Sequence, residues 1–170
     1  MVEELQVSFG KAVIKESGNV LKNISQILRE NECFGQLVAS KAIVSERQIQ
    51  HAVEQTLWAF ENGRNFVESK ELELLIRLSG IKNAQKAIGA IGLKEGAQEI
   101  VIIAFGKKPE KAVREIQTLL KFKEGKHKID AKAVQEFFGI TENELAVLKD
   151  RKKALESAVI ERIALLELEH

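Results

Sequence analysis

The chain has 170 residues, of which 45% are hydrophobic and 30% charged, and its formal net charge is +1. At this length roughly 70% of the surface is buried on folding, which excludes a disordered or fibrous protein and predicts one domain over residues 1–167. The near-neutral charge excludes a general nucleic-acid coat and leaves room for a local basic patch.

Hydrophobic periodicity divides the chain into alternating strands and helices. In chain order the pattern predicts a strand at 5–14 (or two short strands about Gly10), a helix at 17–30, a strand at 36–44, a helix at 45–62, a strand at 72–79 (LELLIRLS), a short helix at 83–92, a central strand at 99–106, a helix at 109–120, a basic loop at 121–128, a short helix at 130–138 and a long helix at 141–166. The predicted fold class is α+β. We expect a mixed, largely antiparallel sheet flanked by helices and a long C-terminal helix.

Capping signals mark several helix boundaries. Ser45 is placed to start one helix and Gly63 to end it. Pro109 suits a first helical turn, and Thr141 with Glu144 forms a capping box at the start of the last helix.

Catalytic and metal-binding motifs are missing from the sequence. His51, His127 and His170 have no metal-ligand spacing, and His51 is interpreted as an ordinary helix residue. Cys33 has no CxxC partner, and no GxSxG, P-loop or GxGxxG is present. Glu71 and Glu73 would share a face of the predicted strand, where an ion-paired edge is favoured over an acid/base pair. The sequence therefore predicts no enzyme, no metal and no cofactor.

The compartment is inferred from two further features. The lone cysteine fits a reducing environment, and no window reaches the ~18 apolar residues of a membrane span. We expect a cytoplasmic protein without membrane contact. Leu168-Glu169-His170 is interpreted as the remnant of an expression vector.

Two polar turns are candidate binding surfaces. Gly63-Arg64-Asn65 pairs a planar donor fork with an amide, which suits phosphate or base edges, although the same residues also suit a simple helix stop. Ser79-Gly80 followed by Lys82-Asn83 suits either an anion site at a helix start or simple capping. A strand over 72–79 would place these turns ~25 Å apart.

The C-terminal third offers an apolar stripe and a basic loop. The stripe comprises Leu145, Leu148, Leu155, Val159, Ile163 and Leu166, and it suits core packing and partner binding about equally. The loop carries Lys121, Lys123, Lys126 and Lys128. A solvated loop is favoured over a second phosphate contact.

The segment 59–92, AFENGRNFVESKELELLIRLSGIKNAQKAIGAIG, resembles the signature region of the TPRKB family, the kinase-binding subunits of the KEOPS (EKC) complex. The resemblance extends through QLVASKAIV, EIVIIAFG and AVIERIALLEL, and it has an archaeal-type character. The chain departs from related sequences at Glu68, where an Arg is frequent, and at Lys82-Asn83, where Arg-Gln is frequent.

The resemblance implies a non-catalytic subunit in the N6-threonylcarbamoyl modification of tRNA adenosine 37. Such a subunit binds the RIO-type kinase/ATPase, which joins it indirectly to the threonylcarbamoyl transferase, and it helps to recruit tRNA through the 3′ CCA end. The implied tRNA-facing residues are Arg64, Asn65, Lys70, Arg77 and Lys82, and the implied kinase-facing residues are Leu155, Val159, Arg162 and Ile163. A small-molecule or phosphate-binding enzyme and a homo-oligomeric scaffold are the alternatives.

Overall fold

The computed structural model describes residues 2–169, so Met1 and the predicted vector residue His170 lie outside it. In chain order the elements are β1 (Glu4–Ile14), α1 (Ser17–Glu30), β2 (Cys33–Ala39), a 3₁₀ helix (Ser40–Ala42), α2 (Glu46–Glu61), α3 (Lys70–Ser79), α4 (Ala84–Ile91), β3 (Gly96–Gly106), α5 (Pro109–Leu120), β4 (Lys123–Glu124), α6 (Ala131–Phe138), α7 (Glu142–Leu145), α8 (Arg151–Ala164) and a C-terminal 3₁₀ helix (Leu165–Glu169).

The chain forms two compact units. The first joins the segment that ends at Ser40 to Ile91–His127, and the second joins Lys41–Ala90 to the segment that begins at Lys128. The prediction of one domain over residues 1–167 stays a prediction.

The first unit contains a four-stranded sheet in the order β2-β3-β1-β4. Every pair is antiparallel, so the α+β class is confirmed, while the expected mixed sheet is purely antiparallel. β3 lies inside the sheet as predicted, and its residues from Ile100 to Ala104 are fully buried. A strand that is buried on both faces needs apolar residues at successive positions, which explains the run IVIIA.

One face of the sheet is packed by α1 and α5. Their buried residues lie on one helical face each, such as Ile24 and Leu28 in α1, and they join the core formed with Ile100 and Ile102. Pro109 stands in the first turn of α5 as predicted, where its missing N–H has no helical partner to lose.

The second unit is helical. One cluster of its core comes mainly from α6, α7 and α8 and comprises Val44, Val134, Ile140, Leu145, Ala154, Leu155, Ala158, Val159 and Ile163. The Ser45 cap of α2 is confirmed, since its side chain accepts from the Gln48 backbone N–H.

The strand predicted at 72–79 is wrong, because this run forms helix α3. Ser69 caps its start by accepting from the Leu72 N–H at 3.2 Å, and Gly80 ends it in the left-handed conformation. The residues from Glu73 to Ser79 are all buried, so the run has no polar face from which a helical period could be read. The two polar turns are therefore joined by a helix of about 15 Å instead of a strand of about 25 Å.

Other boundaries also differ from the prediction. β2 ends at Ala39, and the predicted continuation of the strand to residue 44 is replaced by a 3₁₀ helix over Ser40–Ala42 and an irregular segment. The capping box of Thr141 and Glu144 is confirmed, but it starts only the four-residue helix α7. The predicted long helix restarts at Arg151, because Asp150 accepts from two backbone N–H groups and caps α8.

Candidate nucleic-acid and partner interfaces

The Gly63-Arg64-Asn65 turn ends α2. Gly63 has a φ of 64°, and the Arg64 N–H donates to the Ala59 carbonyl at 2.8 Å, which is a C-terminal cap. The Arg64 side chain is exposed, and its Nη2 donates to the Glu167 carbonyl at 3.3 Å. The Asn65 Nδ2 donates to the Val67 carbonyl at 2.8 Å and so stabilises the turn. The turn thus serves as the helix stop that the sequence allowed, with Arg64 at the surface.

Glu73 and Arg77 form a buried ion pair beside this turn, and neither side chain is exposed. Arg77 donates from Nε at 3.0 Å and from Nη2 at 2.8 Å to the Glu73 Oε1. The other oxygen, Oε2, accepts from the backbone N–H groups of Phe66 and Val67 at 2.8 and 3.2 Å. The carboxylate therefore fixes the segment that follows Asn65. Its i,i+4 spacing from Arg77 was the sequence signal for this pair.

Arg77 itself is placed inside the unit. Its Nη1 pairs with the Glu167 carboxylate, Nη2 lies 3.5 Å from the Arg64 carbonyl, and the guanidinium lies 5.0 Å from the centroid of the Phe66 ring. A side chain with no exposed area has no surface with which to touch RNA. Arg77 connects the turn to the C-terminal 3₁₀ helix instead.

Lys70 and Lys82 are exposed cations of the same unit. The Lys70 ammonium lies 5.8 Å from the Phe60 ring centroid, and that of Lys82 lies 5.9 Å from the Phe66 ring centroid. Lys82 also donates to the Glu169 carbonyl at 3.2 Å. Since Arg64 binds the Glu167 carbonyl, Arg64 and Lys82 both reach the C-terminal 3₁₀ helix.

The apolar residues predicted to face a partner are core residues. Leu155 is 3% exposed, and Val159 and Ile163 are fully buried. Arg162 is half-buried, and its Nη2 donates to both Glu144 carboxylate oxygens at 2.8 and 3.0 Å. Core packing thus accounts for most of the predicted stripe.

Exposed apolar side chains of the second unit lie elsewhere. Val147 and Leu148 lie between α7 and α8, and Leu165 follows α8. Leu148 belongs to the predicted stripe, whereas Val147 lies outside it and Leu165 widens the apolar side of the last helix beyond it.

Glu144 couples the capping box to Arg162. The Thr141 backbone N–H donates to its carboxylate at 2.7 Å. This hydrogen bond, followed by the one from Arg162, lowers the pKa of Glu144 below its ordinary value.

The basic segment 121–127 is held in place by contacts that do not use its charges. The Phe122 N–H donates to the Gln117 carbonyl and the Gly125 N–H to the Phe9 carbonyl, both at 2.9 Å. The His127 ring stacks on Phe9 with centroids 4.4 Å apart. Part of the predicted loop is thus the edge strand β4.

The lysines of this segment point to solvent. Lys121, Lys123 and Lys126 are exposed, and none of them forms a salt bridge with any of residues 2–169. Lys128, also exposed, begins the second unit. Charged edge strands also discourage unwanted strand pairing, so the pattern has a structural use as well.

Cys33 is half-buried, and burial raises the pKa of its thiol. A thiol of raised pKa is a poor nucleophile at neutral pH. Among residues 2–169 no group of three or more His, Cys, Asp or Glu side chains could hold a metal ion. No helix in this range has the length and hydropathy to cross a membrane.

Comparison with known proteins gives two matches. Residues 12–167 match the family model described as "Kinase binding protein CGI-121". The KEOPS complex subunit Cgi121 of Pyrococcus abyssi (strain GE5 / Orsay) is 31% identical over 103 residues. The aligned stretch covers 61% of this chain and 57% of that relative, so the chain spans little more than half the length of the curated protein it matches.

Proposed function

The chain belongs to the CGI-121 family of kinase-binding proteins, and we propose that it is a non-catalytic subunit of a KEOPS complex. In this proposal it binds the RIO-type kinase/ATPase subunit in the cytoplasm and is joined through it to the threonylcarbamoyl transferase. Its task is to help recruit tRNA for the N6-threonylcarbamoyl modification, and it needs no cofactor. The family match over residues 12–167 is the observation that carries the proposal.

The proposed tRNA-facing surface consists of the exposed cations Arg64, Lys70 and Lys82. An exposed guanidinium and two ammonium groups suit the phosphates of the 3′ CCA end. Asn65 contributes by shaping the turn, because its side-chain amide already donates within it. Arg77 contributes as a positioning residue, because its guanidinium joins the turn to the C-terminal 3₁₀ helix.

The proposed kinase-facing surface involves α8 and its flanks. The packing of α8 depends on three buried side chains, Leu155, Val159 and Ile163. The groups available at the surface are the exposed Leu165 and the partly exposed Arg162. Apolar side chains left exposed beside a charged group are typical of protein-binding surfaces.

The tRNA part is tested by binding measurements at low and moderate salt with intact tRNA and with tRNA that lacks its CCA end. The variant is Arg64→Gln with Lys82→Gln, and the matched control is Lys86→Gln, an exposed lysine of α4 in the same unit. We expect tighter binding of intact tRNA, loss of that preference in the double variant and no change in the control. Equal binding in all cases, or no binding at low salt, would refute tRNA recruitment through this surface.

The kinase part is tested by size-exclusion chromatography with and without a RIO-type kinase subunit. We expect co-elution of the two proteins, and Leu165→Asp should weaken it while Leu119→Asp, in the first unit, should not. If the chain elutes as a homo-oligomer and does not bind the kinase, the homo-oligomeric scaffold is favoured. Steady ATP turnover by the isolated chain would favour an enzyme.

A further inference from the structure

A pocket of about 240 Å³ in the second unit has none of the proposed tRNA-facing cations in its lining. It is lined by His51, Glu54, Gln55 and Trp58 of α2 and by Glu167 of the C-terminal 3₁₀ helix. The four α2 residues follow the i, i+3, i+4, i+7 spacing, which places them on one face of the helix. Trp58 keeps 44% of its area exposed.

Three buried polar atoms have no hydrogen-bond partner among residues 2–169: the His51 Nε2, the Gln55 Oε1 and the Glu167 Oε2. All three belong to residues that line the pocket. Leaving a buried polar atom unpaired is unfavourable, so native proteins rarely keep three such atoms in the residues of one pocket without a ligand.

The neighbouring contacts fix how two of these groups are oriented. The Gln55 Nε2 donates to the Ile163 carbonyl at 3.4 Å, which leaves the Oε1 as the available end of the amide. One oxygen of Glu167 pairs with the Arg77 guanidinium, which leaves the Oε2 unpaired. The His51 Nε2 accepts a hydrogen bond when the ring carries its proton on Nδ1. The pocket therefore presents three acceptors.

The charge of the pocket selects its ligand. The lining residues include two carboxylates, those of Glu54 and Glu167, and no Lys or Arg. Binding of a phosphate group is therefore disfavoured. The complementary group carries several N–H donors, a positive charge and a flat face for the Trp58 indole. A guanidinium has five N–H donors in one plane and stacks on aromatic rings, whereas an ammonium has no flat face.

We propose that this pocket binds the side chain of an arginine that a protein partner presents. The guanidinium would donate to the three unpaired acceptors and stack on Trp58. The proposal rests on the proposed function only for the source of the arginine, because the pocket itself is tested without kinase or tRNA.

The test uses the intrinsic fluorescence of Trp58, the one tryptophan of the sequence. The probe is the blocked tripeptide acetyl-Gly-Arg-Gly-amide, and the same peptides with lysine or citrulline at the central position are compared with it. Citrulline has the shape of arginine without its charge. We expect a saturable change in emission with the arginine peptide, at least fivefold weaker binding of the lysine peptide and no saturation with citrulline.

Paired variants locate the response. Glu54→Gln removes a pocket charge and Gln55→Met removes an acceptor, while Glu61→Gln removes an exposed charge of α2 outside the pocket. Each pocket variant should weaken binding of the arginine peptide at least threefold, and Glu61→Gln should leave it unchanged. Circular dichroism confirms that each variant is folded.

Three results would overturn the proposal: equal responses to arginine and citrulline, no saturable response of the Trp58 indole signal in fluorescence or NMR, or equal affinities of pocket and control variants. Saturation by a CCA trinucleotide in place of the arginine peptide would also overturn it, in favour of a base-binding pocket. Failure of the tRNA or kinase experiments above leaves this measurement intact, so the two proposals fail separately.

Discussion

Two regions of the molecule carry positive charges, but the charge is buried in one region and exposed to solvent in the other. Arg77 in α3 has no exposed area and lies between the carboxylates of Glu73 and Glu167. Lys121, Lys123 and Lys126 are exposed and form no salt bridge within the described residues. A buried cation needs its partners in order to offset desolvation, whereas an exposed one keeps its donors available for a ligand. A charge count along the sequence does not distinguish these two uses.

The two regions also differ in what holds them. The Arg77 cluster is held by charge-assisted hydrogen bonds, so its charges are part of the fold. The lysine segment is held by backbone hydrogen bonds and by the stack of Phe9 on His127, so its charges are not needed for folding. Substitutions in the first region should change stability, and charge substitutions in the second should change binding alone.

Arg77→Ala tests the first half of this comparison and has the largest expected effect. Removing one partner of a buried ion pair leaves the other charge uncompensated, so we expect a loss of about 3–5 kcal/mol in the free energy of unfolding by urea denaturation. The double change Arg77→Met with Glu73→Leu should recover much of that loss, because it leaves no lone charge. A loss below about 1 kcal/mol for the single change would show that the pair is solvated.

Gly10→Ala tests what holds the lysine segment. A Cβ at Gly10 would clash with the Lys123 carbonyl oxygen and lie 2.6 Å from the Phe122 Cζ, so β4 would have to shift. We expect a destabilisation of about 1–3 kcal/mol in thermal unfolding. Gly18→Ala in α1 is the matched control, because its Cβ meets nothing within 4 Å and should stabilise the helix by about 0.5–1 kcal/mol. Equal effects of the two changes would contradict the tight packing at Gly10.

Lys123→Gln with Lys126→Gln tests the second half of the comparison. The free energy of unfolding should stay within about 0.5 kcal/mol of the parent, because both side chains are exposed. If these lysines contact tRNA phosphates, the slope of log affinity against log salt should become shallower by about 1.5. The control pair is Lys22→Gln with Lys111→Gln, two exposed lysines of the same unit. An unchanged slope would leave the segment as a solvated edge strand.

Glu144→Gln has the smallest expected effect. It tests a charge whose exposure lies between that of the buried Arg77 and that of the exposed lysines. The hydrogen bond from the Thr141 N–H, followed by the one from Arg162, lowers the pKa of Glu144. The contribution of this carboxylate to the stability of the fold is therefore complete above the ordinary carboxyl pKa of about 4.3. It is lost as the pH falls through the lower pKa of the folded state. The difference in Tm between the parent and the variant should therefore be largest near neutral pH and disappear under acid conditions. A difference that is constant with pH would mean that the carboxylate charge is not involved.

Short-range signals accounted for the elements that the sequence predicted well. The Ser45 cap, the Gly63 stop and the Thr141–Glu144 capping box all involve groups within a few residues of each other, and each was confirmed. The interior position of β3 followed from its unbroken apolar run. The family resemblance over 59–92 was likewise readable from residue order.

Only part of each candidate site could be predicted from the sequence, because each site also includes a residue that is remote in the chain. The i,i+4 pair of Glu73 and Arg77 and the α2 face that carries His51 and Trp58 are visible as spacings. Glu167, which contacts Arg77 from 90 residues away and also lines the Trp58 pocket, is not. The family resemblance therefore placed Arg77 at the surface, whereas its side chain is buried.

The sequence by itself determined the α+β class, most helix boundaries and the family, because caps, periodicity and residue order act over a few positions. Only the tertiary structure decided that 72–79 is a helix and which cations are buried. Those outcomes depend on what distant segments pack against each residue. A helix that is buried on every side has no polar face, so its sequence shows no helical period. Whether a charged side chain is buried and paired depends on the partners that folding brings next to it.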